Sequence, residues 1–129
     1  MTRADEAEII KDRALAMLRA SKHHLSTGDY DLASFLAEQA AQLYLKYVIL
    51  KITGEMPRTH SIRGLLQILG KVVNKEDEIS EFIRRHRSML IRLEDAYIAS
   101  RYLFRRYDRD EVKELVDFAE ELIGYVGNL

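Results

Sequence analysis

The sequence contains no cysteine, one proline and six glycines among its 129 residues. Without cysteine the chain has neither a disulfide framework, nor a thiolate zinc site, nor a cysteine nucleophile, which excludes several classes of enzyme. No apolar run approaches the roughly 18 residues of a membrane span, and the acidic start of the chain lacks the apolar stretch of a signal peptide. We therefore expect a cytoplasmic protein that does not enter the membrane.

The scarcity of proline and glycine, with 47% hydrophobic and 32% charged residues, is typical of a helix-rich chain long enough for one core. Residues 1–129 are predicted to form a single domain. Apolar residues recur at spacings of three and four, and no window alternates as a half-buried strand does. The predicted fold is all-α: an up-and-down four-helix bundle with an additional short helix, about five helices in total.

Capping residues predict where these helices begin and end. The first helix is predicted to end at Gly28, and Asp29 or Asp31 to cap a second helix from Leu32 to about Ile52, which is apolar nearly all round. Thr59 or Ser61 is predicted to cap a short third helix. A fourth helix is predicted to start within Asn74 to Glu78, with Asn74 as the candidate cap, and to continue to about Tyr102. Asp108 or Asp110 is predicted to cap the last helix.

One line of polar residues interrupts the apolar second helix. Glu38, Gln42 and Lys46 follow at spacings of four, so they lie on one face, with Gln39 alongside. An unpaired ammonium on such a helix is costly, so Lys46 is predicted either to pair with an acid or to point into a cleft as a ligand-binding cation. Glu38 and Gln39 line the same cleft in the second case, whereas a buried glutamine is more often a satisfied core amide.

Positive charge is concentrated late in the chain. Residues 84–109 contain eight arginines, no lysine and three acids, and residues 110–129 contain six acids and one lysine. An arginine-only block followed by an acidic helix has two interpretations. One is a phosphate-binding surface, and the other is that the two segments pair with each other or with a second subunit.

The segment from Asp95 to Tyr102 places two phenols and a guanidinium near a helix end. Tyr97 and Arg101 are four residues apart and share a face, and a planar fork of donors beside an aromatic ring suits phosphate or base recognition. The alternative is an arginine stacked on a tyrosine to close a corner of the bundle. The further candidate ligand-binding residues are Tyr102, Arg105 and His60, and His60 alternatively caps or packs at the start of the third helix.

In order and spacing, several short motifs resemble those of the HEPN domain, a helical module of prokaryotic proteins that is often encoded beside a small nucleotidyltransferase. The resemblance covers nearly the whole chain. The motifs are Asp29-Tyr30-Asp31-Leu32-Ala33-Ser34-Phe35, Glu38-Gln39-Ala40-Ala41-Gln42-Leu43-Tyr44-Leu45-Lys46-Tyr47, Thr53-Gly54, Thr59-His60-Ser61-Ile62 and Leu93-Glu94-Asp95-Ala96-Tyr97-Ile98-Ala99-Ser100-Arg101-Tyr102.

The resemblance implies a homodimer that binds nucleotide or RNA, and a minimal nucleotidyltransferase partner in a toxin-antitoxin type system. Many HEPN proteins resemble metal-independent ribonucleases because a late arginine is followed, about four to six residues later, by an acid-base histidine. No histidine follows His86 here, so we expect binding rather than catalysis, with no catalytic residue, metal or cofactor. The alternatives are a ribonuclease using His60 or His86, and a purely structural protein-interaction bundle.

Overall fold

A computed structural model describes the backbone of residues 2–102 and 106–129, and the side chains of these residues except 99–102. The described residues form six α-helices and no strand, which confirms the all-α prediction, with one helix more than expected. Among these helices none combines the length and apolarity needed to cross a bilayer. The helices are α1 (Arg3–Thr27), α2 (Tyr30–Thr53), α3 (Ile62–Val72), α4 (Glu76–Arg85), α5 (Arg87–Tyr102) and α6 (Arg109–Gly127).

A tight turn at Gly28 joins the two longest helices. Thr2 and Asp5 form a reciprocal capping box at the start of α1. Gly28 ends α1 in the left-handed conformation, with φ of 87°, as predicted. Asp29 precedes α2, but its carboxylate does not cap that helix; it accepts a hydrogen bond from the Thr27 hydroxyl and lies 3.1 Å from His24 Nδ1.

Helix α2 is the central element of the bundle. It packs against α1, α3, α5 and α6, which explains why it is apolar nearly all round. The polar line on this helix lies near its contacts with α3 and α5. The main core draws on all six helices, and a smaller cluster of Ala7, Tyr47 and Leu50 lies between α1 and α2.

The predicted fourth helix is two helices that meet at His86. The ring of His86 packs against Phe82 of α4 at 4.4 Å and Phe118 of α6 at 5.5 Å between centroids, and its backbone, at φ −108° and ψ 20°, ends α4. No proline or glycine marks this break, so the sequence carried no local signal for it. Asn74 is not the cap of α4: it adopts φ of 57° in the preceding turn, and Lys75 is the residue before the helix.

Candidate functional site

The polar line on α2 is buried and forms a network with His60. Glu38 is 1% exposed, and Gln42 and Lys46 are also buried. Both oxygens of the Glu38 carboxylate are bonded: Gln39 Nε2 donates to Oε1 at 2.7 Å and Gln42 Nε2 donates to Oε2 at 2.9 Å. We call Glu38, Gln42, Lys46 and His60 the α2 network.

His60 Nδ1 is the meeting point of two side chains from α2. Lys46 Nζ lies 3.1 Å and Gln42 Oε1 lies 3.2 Å from this nitrogen. A charged ammonium only donates, so a bond from Lys46 requires an unprotonated Nδ1 and leaves the ring proton on Nε2. Gln42 Oε1 accepts from the ring only when Nδ1 carries the proton. The α2 network therefore has two proton arrangements, and His60 Nδ1 satisfies one partner at a time.

Burial dominates the electrostatics of Glu38 and Lys46. It raises the pKa of Glu38 from 4.5 to about 7; hydrogen bonds from Gln42 and Gln39 oppose this rise, the nearby Glu94 adds to it, and Lys46 opposes it. Burial also lowers the pKa of Lys46, with the charge of Glu38 acting in the opposite direction. Among the described residues no carboxylate lies within ion-pair distance of Lys46, so the predicted direct pairing with an acid is absent there.

Aromatic rings adjoin the exposed edge of this network. The rings of His60 and Tyr97 are nearly parallel, at 9°, with centroids 6.4 Å apart. The ring of Phe35 on α2 lies 6.4 Å from the Tyr97 ring, between centroids. The loop before α3 and the last part of α5 thus bring the predicted residues Lys46, His60 and Tyr97 together.

Glu94 anchors the start of α3 to α5 and was not among the predicted site residues. Its Oε2 accepts from the Ser61 hydroxyl at 2.9 Å and from the Arg63 backbone N–H at 3.2 Å, and its Oε1 accepts from Arg63 Nε at 2.7 Å. Ser61 also caps α3, as predicted, by accepting from Gly64 N–H. The available signal was the spacing of three between Glu94 and Tyr97, which puts both on one face of α5.

The remaining predicted residues divide into two groups. Gln39 is half-buried and solvates Glu38, as a satisfied amide does. The side chains of Arg101 and Tyr102, and Arg105 as a whole, lie outside the described residues. Their predicted ligand contacts therefore stay predictions.

The arginine block makes few contacts with the acidic last helix among the described residues. Arg92 reaches Glu114 of α6 at 3.0 Å, whereas Arg84 and Arg85 both pair with Glu81 on their own helix. Within the same part of the chain no group of three or more His, Asp or Glu side chains is arranged to hold a metal ion.

Comparison with known proteins places this geometry in a family. A model of the HEPN domain matches residues 7–129. The crystal structure of TT1696 from Thermus thermophilus has a TM-score of 0.77 and 31% sequence identity, covering 99% of this chain and 98% of that one. The structure of ST0689, an archaeal HEPN homologue, has a TM-score of 0.64 at 23% identity, covering 99% and 98%. No curated protein sequence matches. The chain belongs to the HEPN domain family.

Proposed function

We propose that this HEPN domain binds RNA or a nucleotide beside the α2 network, between α2 and α5. The observation that carries the proposal is the buried ammonium of Lys46, which points at His60 and has no carboxylate within ion-pair distance among the described residues. Burying a cation with no ion-pair partner costs free energy, and the more distant charge of Glu38 offsets this cost only in part, so a purely structural role gives little reason to keep the ammonium. An anionic ligand supplies the missing charge.

The groups around Lys46 suit a nucleotide in particular. The rings of His60 and Tyr97 offer π-faces of the kind on which bases stack in single-strand binders. With Lys46 bonded to Nδ1, His60 presents an N–H donor at Nε2, and this donor suits a phosphate oxygen. Arg101, Tyr102 and Arg105 are proposed to complete the phosphate contacts.

The proposed partners of this domain, a second copy of the chain and a nucleotidyltransferase, follow from its membership of the HEPN family. HEPN domains often dimerise, and the resemblance in sequence adds a minimal nucleotidyltransferase partner in a toxin-antitoxin type system. In this proposal the domain is the subunit of such a pair that binds the nucleotide or RNA.

Replacing Lys46 with methionine tests the proposed site. Lys46→Met removes the charge and keeps the length of the side chain, so we expect affinity for ATP or a short single-stranded RNA to fall about 10-fold or more, the value of a lost charged hydrogen bond. The free energy of unfolding is expected to stay the same or rise, because a buried ammonium is replaced by an apolar group. Fluorescence titration and urea unfolding measure the two quantities.

Lys51→Met is the matched control, because it removes the same charge from an exposed position of the same helix. It is expected to change affinity by less than Lys46→Met. Absence of binding by the wild-type protein up to millimolar ligand contradicts the proposal, as does a loss of stability without a loss of affinity in Lys46→Met.

A cleavage assay with the same RNA addresses the ribonuclease alternative. His86 packs between two phenylalanine rings, so this alternative rests on His60, whose ring is exposed and held at one nitrogen. Electrophoresis of the RNA after incubation without metal ions reveals cleavage if it occurs. Cleavage that His60→Ala abolishes favours the enzyme, and an intact RNA favours the binding role.

A further inference from the structure

A second, separate concavity lies between α3 and the junction of α4 with α5. It has a volume of about 560 Å³, and its walls come from two helical faces. Arg63 and Gln67 are four residues apart on α3, whereas Ser80, Arg84 and Arg87 recur at spacings of four and three across the junction. We call this concavity the arginine groove.

The carboxylates near the arginine groove do not neutralise all of its guanidinium groups. Glu94 is engaged by Arg63, and Glu81 is shared by Arg84 and Arg85. Arg87 is exposed and has no ion pair among the described residues. Three guanidinium groups therefore line the groove, those of Arg63, Arg84 and Arg87, and that of Arg87 has no acid partner among the described residues. The uncharged donors Gln67 and Ser80 line it as well.

The arginine groove adjoins the α2 network along the chain, at the start of α3. His60 belongs to the network, and the next residue, Ser61, lines the groove. Glu94 of α5, the helix that carries Tyr97, accepts hydrogen bonds from both Ser61 and Arg63, and these two residues line the groove. The ring of His60 and the groove thus belong to neighbouring residues of the loop before α3.

We propose that the arginine groove binds the backbone phosphates of a single-stranded RNA whose neighbouring base lies at His60 and Tyr97. This inference rests on the proposed function and narrows its ligand from a mononucleotide to an oligonucleotide. Guanidinium groups match phosphate oxygens in pairs, and serine and glutamine donors are common partners of the sugar-phosphate backbone. An unpaired strand is required because only an unstacked base reaches the aromatic rings.

Removing two arginines from the groove tests the inference. The variant is Arg84→Gln with Arg87→Gln, and both positions are exposed, so the fold is expected to persist. The control is Arg13→Gln with Arg19→Gln, which removes the same charge from exposed positions of α1. Among the described helices α1 packs only on α2 and α6, away from the groove. Fluorescence anisotropy of a labelled ten-nucleotide oligouridylate is measured at several salt concentrations, together with titration of AMP.

The groove variant is expected to bind the oligouridylate roughly 10-fold more weakly near physiological salt, and the slope of log affinity against log salt is expected to shrink by about 1.4, as for two lost phosphate contacts on a single strand. AMP affinity is expected to be unchanged. The control is expected to change the slope by less.

Three results overturn the inference. If wild type and groove variant bind the oligouridylate equally well, the groove does not contact the RNA, and the proposed function is unaffected. An equal loss of AMP and oligouridylate binding in the groove variant shows a mononucleotide site. Displacement of the RNA by polyglutamate as readily as by unlabelled RNA indicates an acidic protein as the partner. If the wild type binds neither AMP nor oligouridylate, the proposed function itself fails.

Discussion

Glu38 is a buried carboxyl group solvated by amides rather than by a cation. Its oxygens accept from Gln39 and Gln42, and among the described residues no Lys or Arg lies within ion-pair distance of it. Amide donors stabilise the charged carboxylate less than an ammonium does, so burial prevails and the pKa rises to about 7. At neutral pH both protonation states of Glu38 are therefore populated: the protonated carboxyl group, which can donate a hydrogen bond, and the carboxylate, which can only accept.

Glu38 gives the stability of the domain a pH dependence of known sign. Between pH 4.5, the ordinary pKa, and about 7 the folded state keeps a proton that the unfolded state has lost. Stability therefore falls as pH rises through this window and levels off above it. From about pH 5 to pH 8 the wild type is expected to lose about 2 kcal/mol relative to Glu38→Gln, which has no proton to exchange.

Urea unfolding of both proteins at the two pH values measures this difference. Subtracting the variant removes the contributions that the two proteins share. Parallel pH profiles for the two proteins would contradict a raised pKa for Glu38.

At the scale of the element, predictions succeeded where the signal was local. Gly28, Ser61 and Asp108 end or begin helices as their capping chemistry predicts. The break at His86 was missed because no proline or glycine marks it, and the ring of His86 lies against Phe118, which is far away in sequence.

The candidate site shows the same division. The line from Glu38 to Lys46 is visible in the sequence because its residues share one helix. The meeting of Lys46 with His60, and the role of Glu94 in holding Ser61 and Arg63, were not predicted because each joins two elements. Spacing on one helix indicates which residues share a face, but not which loop lies opposite that face.

Two glycines with equal space around them are expected to respond in opposite ways to alanine. A Cβ at Gly28 or Gly124 meets no atom within 4 Å. Gly28 has φ of 87°, so Gly28→Ala is expected to destabilise the domain by about 1 to 2 kcal/mol. Gly124 lies within α6, so Gly124→Ala is expected to stabilise it by about 0.5 to 1 kcal/mol.

Thermal or urea unfolding of the two variants measures both changes in one assay. Each variant serves as the control for the other, because both add one methyl group in open space. Equal effects of the two substitutions would show that backbone conformation does not decide the outcome.

At the scale of the whole molecule, large apolar side chains among the described residues are exposed in two groups. Ile9, Ile52 and Met56 lie near the start of α1 and the end of α2, and Leu32 and Ile98 lie near the opposite end of α2. Their exposed fractions range from 36% to 53%. Such side chains are compatible with the predicted homodimer, which stays a prediction.

Light scattering after size exclusion is expected to give a mass twice the 15.0 kDa of one chain. Ile9→Asp and Ile98→Asp then distinguish the two apolar surfaces, because a charge placed in the interface lowers the mass and one placed elsewhere does not. A mass of 15.0 kDa for the wild type at all concentrations tested would contradict the homodimer.

The alanines of α2 have a consequence for the entropy of ligand binding. Ala33, Ala37, Ala40 and Ala41 are completely buried. Alanine has no side-chain rotamers to freeze or to interconvert, so the helix is positioned by its backbone and methyl groups rather than by adaptable side chains. Glu38, Gln42 and Lys46, which α2 carries, thus start from fixed backbone positions. On α2 a ligand has the ends of long side chains such as Lys46 left to order, so this wall of the proposed site is preorganised before any contact forms.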